Sequence, residues 1–252
     1  MKIAVTGKGG CGKSTVTTLV AMALAQRGKE VLIVDSDESN YGLHCQLGMD
    51  LPGDFTGYFG GKQKVLGDLM LSQFSKQFFN ETWKLSDIPE DYYTEKDGIK
   101  LMASGKIHVA NEGCACAMGT VLEQFITHLQ LEENQFALLD MEAGIEHFGR
   151  GIDNGVDLVL MIVDPSYESL RLSRKIADLA ESIGKPIYYV LNKVTADNRD
   201  AMMNAVADPG KVAAILPHSR EVLQAGLMGQ SLNGVDLGTT TLADFLISQK
   251  VK

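Results

Sequence analysis

Several features that would mark a membrane or secreted protein are missing from this sequence. None of its apolar runs approaches the roughly 18 residues that a membrane-spanning helix needs, and its start carries no signal-peptide pattern. The chain also contains no internal repeat and no low-complexity segment. We therefore expect a cytoplasmic protein.

Basic residues are outnumbered by acidic ones. The 252 residues include 23 Lys and Arg against 32 Asp and Glu, a formal net charge of -9. Because nucleic acids attract basic surfaces, this balance argues against a general nucleic-acid-binding surface, and we expect no nucleic-acid partner. A helix predicted around 242–247 is followed by Lys250-Val251-Lys252, and it is too short and too weakly basic to form a stable membrane anchor.

Cysteines are also scarce, since four in a chain of this length do not make a disulfide framework. Cys114 and Cys116 lie a single residue apart, which favours metal or redox chemistry. A disulfide between them would be strained, and a helix predicted over 118–129 would lower the pKa of both thiols through its N-terminus. His44 and Cys45 are adjacent on a predicted short helix and are expected to face different ways, which favours a buried thiol over a metal pair.

The segment from Thr6 to Thr15 fits the phosphate-loop pattern, with four residues between Gly7 and Gly12 and with Lys13-Ser14 following. A predicted strand leads into the loop, and a helix predicted over 14–26 leads out of it. Glycines let successive backbone N–H groups turn toward phosphate oxygens at the helix N-terminus. The pattern predicts a nucleoside triphosphatase that takes ATP with magnesium, in which Lys13 reaches the β- and γ-phosphates and Ser14 holds Mg²⁺. The nucleotide-binding residues expected in the loop are Gly9, Gly10, Cys11, Gly12, Lys13, Ser14 and Thr15.

Acidic residues follow two apolar runs. Asp35 and Asp37 come directly after the run 30–34, and Asp140 ends the Walker-B-like run 136–140. At the carboxyl ends of parallel strands such side chains can point into the crevice where an open sheet binds its ligand. Of Asp35 and Asp37, one can hold magnesium through water while the other positions the attacking water. We expect Asp140 to hold magnesium through water and Gly144 to let the following loop approach the γ-phosphate.

The remaining chain continues the alternation of apolar runs and helical stretches, with further strands predicted over 98–103, 157–163, 186–191 and 211–216. This alternation predicts an α/β fold over 1–252, with a doubly wound, mostly parallel sheet and helices on both faces, as in P-loop NTPases. We expect a single domain with a less regular insertion at about 40–98. Asn192 and Pro217 follow strands where the base would lie, and Asn192 could read the adenine edge.

Lys8 is a second lysine in the loop, at a position where the general pattern accepts any residue; it is either an extra phosphate-seeking cation or a solvated loop lysine. Together, Lys8, Asp35-x-Asp37 and Asp140-x-x-x-Gly144 resemble the motifs of the deviant Walker A ATPases. That group includes the nitrogenase iron protein, MinD and ParA proteins, and nickel-insertion accessory ATPases. The resemblance covers nearly the whole chain apart from about 50–98.

The resemblance implies roles that the spacing alone does not give. Lys8 would reach across a two-fold interface to the phosphates of the partner's ATP, and Asp37 would orient the water, so that Lys8, Lys13 and Asp37 are catalytic and dimerisation is tied to nucleotide. Magnesium and phosphate ligands, and more loosely an adenine pocket, carry over to the following residues: Asp35, Lys13, Ser14, Thr15, Asp140, Asn192 and Pro217.

Cys114 and Cys116 decide which member of the group is favoured. A two-fold dimer would bring together four thiolates, which form a closed site for zinc or nickel. The Cys-x-Cys motif is similar to that of the CooC-type ATPases, which help to load nickel into carbon monoxide dehydrogenase. The resemblance implies a metallochaperone that forms a homodimer with nucleotide and metal and has carbon monoxide dehydrogenase as its target. Nickel rests on the resemblance alone, and zinc would satisfy the same ligands.

Two alternatives stay open. One is a positioning ATPase that binds DNA or membrane, as MinD and ParA proteins do. The other is an iron–sulfur reductase like the nitrogenase iron protein, which bridges its cluster with cysteines from two separated positions in each chain. The second of those cysteines has no obvious counterpart after Asp140 in this sequence.

Overall fold

A computed structural model describes residues 1–107, 115–142 and 155–250, with Ala115 and Cys116 described by their backbone alone. In these ranges eight strands form one sheet, in the order β3-β4-β2-β5-β1-β6-β7-β8. The strands are β1 (Lys2–Gly7), β2 (Glu30–Asp35), β3 (Thr94–Lys96), β4 (Ile99–Ala103), β5 (Gln135–Asp140), β6 (Leu158–Val163), β7 (Ile187–Val194) and β8 (Val212–Pro217).

Every neighbouring pair of strands is parallel except β3 with β4. The predicted doubly wound, mostly parallel sheet is therefore confirmed. β1 lies between β5 and β6, so the phosphate-loop strand occupies the middle of the sheet. The carboxyl ends of β1, β2 and β5 consequently meet at one edge, where open α/β sheets bind ligands.

The antiparallel strand β3 was not predicted, although the sequence contains a signal for it. Asp97 and Gly98 form a two-residue connection between the paired residues Lys96 and Ile99. Both take positive φ angles, of 52° and 79°. Asp-Gly is the typical sequence of such a hairpin turn because both positions require left-handed backbone.

The helices described in the same ranges lie mostly between the strands, as predicted, and the last two follow β8. They are α1 (Lys13–Ala25), α2 (Leu43–Leu47), α3 (Lys62–Leu71), α4 (Ala115–His128), α5 (Tyr167–Ser182), α6 (Arg199–Ala205), α7 (Arg220–Met228) and α8 (Thr239–Lys250). Over the described residues no helix has both the length and the apolar character to cross a membrane.

The start of α4 corrects one prediction. The helix begins at Ala115, three residues before the predicted start at 118. Ala115 and Ala117 are strong helix formers and extend the helix toward the N-terminus. Cys116 therefore lies within the first turn of α4 instead of preceding the helix.

Helices cover both faces of the sheet. Alternate residues of each strand point to opposite faces, so β1 and β2 each contribute side chains to two buried clusters. Ile3, Val5 and Ile33 pack in one buried cluster with residues of α1 and α8, whereas Ala4 and Leu32 pack in another with residues of α3 and α4. In α8, Leu242, Ala243 and Leu246 are fully buried. The apolar side of this C-terminal helix therefore belongs to the core.

The less regular segment 40–98 packs onto the α4 side of the sheet. Its centre is the buried Phe55, whose ring lies 5.2 Å from that of Phe125 in α4. Trp83 and Tyr92 also pack edge-to-face against Phe55, with ring centroids 6.2 and 6.1 Å away. These aromatic residues therefore join the core cluster on the α4 side of the sheet.

Candidate functional site

The phosphate loop connects β1 to α1, as its sequence pattern predicted. Gly10 and Gly12 have φ angles of 75° and 99°, in the left-handed region that glycine enters without strain. Lys13 begins α1, is 8% exposed, and directs its ammonium to the Lys8 carbonyl at 3.5 Å. The loop thus combines a helix N-terminus with a largely buried cation, two features that favour a bound anion.

Two residues at the end of β7 hold the phosphate loop in place. Asn192 Nδ2 donates a hydrogen bond to the Cys11 carbonyl at 2.8 Å. Lys193 Nζ donates to the Gly10 carbonyl at 2.5 Å and has a φ of 58°, which is uncommon for a non-glycine residue. Asn192 was expected to read adenine, and its amide nitrogen instead contacts the loop; whether its oxygen reads a base stays a prediction.

Cys11 was expected among the nucleotide-binding residues, but its side chain faces the core. It is 0% exposed, and burial raises the pKa of its thiol to about 11. The group is therefore a neutral apolar filler at physiological pH. Only the backbone of Cys11 can contribute to a nucleotide site.

The predicted acidic residues lie side by side. Asp35 on β2 pairs in register with Asp140 on β5, and both are buried, at 3% and 1% exposure. Burial, followed by the negative charge of Asp35, raises the pKa of Asp140 to about 7, against the lowering effects of Ser14 and Lys13. Among the described residues Asp140 Oδ2 is a buried atom without a hydrogen-bond partner, whereas Oδ1 accepts from Thr17 Oγ1 at 3.4 Å.

Lys106 is a site residue that sequence reasoning missed. Its side chain is fully buried, and Nζ lies 2.6 Å from Asp35 Oδ2. Burial still raises the pKa of Asp35 to about 6, although Lys106 lowers it. A single lysine in a loop is usually solvated, so the sequence carries no signal for this ion pair.

The turn between β2 and α2 brings Asp37 and Asn40 to the site. Asp37 Oδ1 accepts hydrogen bonds from Ser39 N at 3.0 Å and Ser39 Oγ at 2.7 Å. Asn40 Nδ2 donates to Ser14 Oγ at 2.7 Å, which links this turn to the first turn of α1. Asn40, like Lys193 and Lys106, is a site residue that was not predicted.

A cleft of about 520 Å³ opens beside these groups. The phosphate loop and Asp37 form its polar end, and Pro217 with Val222, Leu223 and Leu227 of α7 form an apolar wall. A cleft that is cationic at one end and apolar at the other fits a ligand with an anionic chain and a planar ring system. The predicted residues Gly9, Gly10, Gly12, Lys13, Ser14, Thr15, Asn192 and Pro217 all line it.

Lys8 contacts its own chain. Its ammonium lies 3.4 Å from Glu168 Oε2, with the two side chains 33% and 76% exposed. An exposed ion pair of this kind contributes about 0–1 kcal/mol. Glu168, at the start of α5, therefore holds Lys8 weakly, and Lys8 can exchange this partner for a stronger anion at small cost.

The predicted cysteine site is mostly beyond what the structure describes. Cys114 and Gly144 lie outside the described residues, and Cys116 is described by its backbone in α4. Among the described residues no three His, Cys, Asp or Glu side chains cluster as a metal site. His44 and Cys45 were expected to face apart, but His44 Nε2 lies 3.3 Å from Cys45 Sγ.

Gly12 offers a direct test of the loop geometry. A Cβ at this position would overlap Asn192 Nδ2, and the φ of 99° strains any side chain. We expect Gly12→Ala to lower the free energy of unfolding by about 1–3 kcal/mol and to weaken nucleotide binding, as measured by urea unfolding and fluorescent-nucleotide titration. Gly67→Ala is the matched control, because Gly67 lies in α3 with open space around it; it should stabilise by up to about 1 kcal/mol. Equal effects of both substitutions would contradict this geometry.

The sheet order, the loop between β1 and α1, and the carboxylates at the ends of β2 and β5 define a P-loop nucleotide-binding protein. Residues 2–232 match the family model described as the CobQ/CobB/MinD/ParA nucleotide binding domain. The chain belongs to this family, and the predicted membership of the MinD and ParA group of P-loop ATPases is confirmed.

Two relatives in sequence and one solved structure resemble the chain. An uncharacterised ATP-binding protein of Methanocaldococcus jannaschii is 46% identical over 92% of this chain and 94% of its own length. The carbon monoxide dehydrogenase accessory protein CooC of Rhodospirillum rubrum is 32% identical over 92% and 89%. The solved structure of the septum site-determining protein MinD of Pyrococcus horikoshii, in complex with Mg-ADP, superposes with a TM-score of 0.69 over 97% of this chain and 95% of its own. At 19% identity that likeness concerns the fold alone.

Proposed function

We propose that this protein is an ATP-hydrolysing metallochaperone that loads nickel into carbon monoxide dehydrogenase. One observation carries the ATPase part: Asp35 and Asp140 are buried in register beside a phosphate loop. The metallochaperone part is supported by the 32% identity to the accessory protein CooC and by the motif Cys114-Ala115-Cys116.

The residues beside the phosphate loop fit magnesium. The donor set contains the Ser14 hydroxyl and the carboxylates of Asp35 and Asp140, and hard oxygen donors are what Mg²⁺ prefers. Asp140 Oδ2, buried without a hydrogen-bond partner among the described residues, is a group that a hydrated cation would satisfy. When bound, magnesium neutralises charge that develops on the phosphate oxygens.

Three residues of the chain have different roles in hydrolysis. Lys13 binds the phosphates from within the chain, since it begins α1 and its side chain is largely buried. Asp37 lines the cleft and positions the attacking water as general base. Lys8 leaves Glu168 and reaches the phosphates of ATP in the partner of a homodimer, where a cation that arrives from another chain stabilises the transition state.

Dimerisation would bring Cys114 and Cys116 of two chains together as four thiolates, a ligand set for nickel or zinc. ATP then favours the closed dimer and metal retention, and hydrolysis loosens the dimer so that the metal passes to its target. Because coupling is reciprocal, metal must favour the ATP-bound dimer by the same free energy.

Metal stoichiometry tests the shared site. Metal-free, reduced protein is dialysed anaerobically against NiCl₂ or ZnCl₂ without nucleotide, with ADP, or with a non-hydrolysable ATP analogue. We expect about one metal ion per two chains, with tightest binding in the presence of the analogue. Cys114→Ser with Cys116→Ser should abolish this binding and metal-driven dimerisation in gel filtration.

Cys45→Ser is the matched control, because Cys45 is a partly buried thiol outside the motif. It should leave stoichiometry and dimerisation unchanged. A doubly substituted Cys114 and Cys116 variant that still dimerises on metal addition would refute the shared site. A brown protein with a cluster signal in electron paramagnetic resonance would instead favour an iron–sulfur reductase.

A positioning role like that of MinD is less well supported. The buried residues of α8, Leu242, Ala243 and Leu246, pack in the core cluster that includes residues of α1, so they are not available to insert into a membrane. Co-sedimentation with anionic vesicles or with DNA in the presence of ATP would favour the positioning role over the metallochaperone.

A further inference from the structure

Lys106 makes three short contacts with one segment of the chain. Its ammonium donates to Asp35 Oδ2, to the Asp37 carbonyl and to the Asn40 carbonyl, each at 2.6 Å. A lysine ammonium has three donors, so these acceptors use all of them. All three acceptors belong to residues 35–40, which we call the 35–40 turn and which comprise the last residue of β2 and the turn that follows it.

The burial of Lys106 makes this arrangement demanding. The side chain is 0% exposed and its partner Asp35 is 3% exposed. A buried ion pair is costly to desolvate and adds little net stability, whereas removing one partner leaves an unpaired buried charge. An apolar side chain of similar volume could give the fold as much stability as this ion pair. Stability alone therefore does not account for a charge at this position.

The backbone around Lys106 is fixed independently of its ammonium. Lys106 N donates to Asp54 Oδ1 at 2.9 Å, and Ser104 N donates to the Asp35 carbonyl at 2.9 Å. Lys62 contacts the Lys106 carbonyl and lies 3.5 Å from Asp54. The backbone that carries the Lys106 side chain is therefore held in place by contacts that do not involve its ammonium.

From that turn the contacts continue to the nucleotide site. Asn40, whose carbonyl Lys106 holds, donates through Nδ2 to Ser14 Oγ at 2.7 Å. Asp37, whose carbonyl Lys106 also holds, donates its N–H to Asp35 Oδ1 at 3.2 Å. One ammonium thus fixes three residues, each of which either carries or orients a group at the site.

We propose that Lys106 is a positioning residue for ATP hydrolysis, which holds Asp35, Asp37 and Asn40 in the arrangement that magnesium and the attacking water require. The proposal rests on the ATPase function proposed above. Lys106 acts through these residues and not on the nucleotide itself. Its loss should therefore separate magnesium-dependent steps from nucleotide binding as such.

The test compares Lys106→Met with Lys62→Met, which loosens the same loop through Asp54. Fluorescent ATP is titrated in EDTA and in magnesium, and kcat and KM are measured where ATPase activity is present. For Lys106→Met we expect the affinity for ATP in EDTA to stay within about twofold of wild type. The gain in ATP affinity on adding magnesium should be reduced by about 10-fold or more. We expect kcat to fall about 100-fold with little change in KM. Lys62→Met should keep the magnesium gain and kcat within about threefold.

Three results would overturn the proposal: a folded Lys106→Met protein with the wild-type magnesium gain, equal losses in both variants, or a loss of affinity in EDTA as large as that in magnesium. If Lys106→Met does not fold, Lys106→Gln takes its place, because the amide keeps a donor for the carbonyls of the 35–40 turn and removes the charge. A reduced gain in affinity from magnesium supports the proposal, and a wild-type gain refutes it. Absence of ATP hydrolysis in the wild type would refute the proposed function, while the magnesium-dependent binding still reports on Lys106.

Discussion

Replacing Lys8 by alanine should lower kcat for ATP hydrolysis by about 100- to 1,000-fold while the affinity of the monomer for ATP changes by less than about threefold. Lys8 is one-third exposed and is paired with the exposed Glu168 at 3.4 Å. Its contribution to nucleotide binding within its own chain is therefore small, whereas in a dimer its charge can reach the partner's phosphates. Turnover at saturating ATP and analytical ultracentrifugation with a non-hydrolysable analogue measure both effects.

Lys13→Ala should behave differently. The Lys13 side chain is largely buried at the start of α1 and lines the cleft, so its removal should weaken ATP binding itself, by about 10- to 100-fold. Glu168→Gln is the control for Lys8, because it removes the intramolecular partner and leaves the cation; turnover should be unchanged or slightly raised. Equal losses of monomer affinity in the Lys8 and Lys13 variants would exclude the assignment of Lys8 to a neighbouring chain.

The second large effect concerns Asp140 and pH. Burial raises the pKa of this carboxyl in the folded protein to about 7, from 3.8 without the fold. Between these values the folded state keeps a proton that the unfolded state has lost, so stability is greatest at low pH and falls as pH rises through about 7. In EDTA, we expect this group to cost wild-type protein about 2–3 kcal/mol of unfolding free energy between pH 5 and pH 8.

Asp140→Asn should remove Asp140's part of the slope, because the amide does not titrate, whereas Asp35, whose pKa is also raised, to about 6, keeps its own part. At pH 8 in EDTA the variant should be at least as stable as wild type, and it should lose most of the stabilisation that magnesium and nucleotide confer. Urea unfolding at several pH values measures both. Asp97→Asn, at an exposed turn position where asparagine tolerates the positive φ of 52°, should keep the wild-type slope. The same slope in the Asp140 variant as in wild type would contradict the assignment.

Much of the site could be predicted because each of its signals is local. The loop from Thr6 to Thr15 contains its own turn chemistry, and Asp35 and Asp140 directly follow the apolar runs that become β2 and β5. Parallel strands place their carboxyl ends at one edge, so recognising the strands was enough to predict that these side chains meet. The Asp97-Gly98 hairpin had an equally local signal that was not used.

Partners distant in sequence were not predictable in the same way. Asn192 binds Cys11 across 181 residues, and Lys106 binds Asp35 across 71. Such contacts depend on how loops cross the ends of the strands, which composition and periodicity do not encode. The early start of α4 at Ala115 is a smaller case, since helix ends depend on packing as well as on propensity.

By itself, the sequence determined the class of fold, the phosphate loop and the carboxylates that face it. The reason is that periodic burial, glycine turns and strand ends each depend on residues that are close together in the sequence. The tertiary structure alone decided that Cys11 faces the core, that Asn192 and Lys193 hold the loop, and that Lys106 is buried against Asp35. These features depend on which surfaces the folded chain brings together. There, desolvation raises the pKa of a buried carboxyl and makes a buried lysine depend on its hydrogen-bond partners.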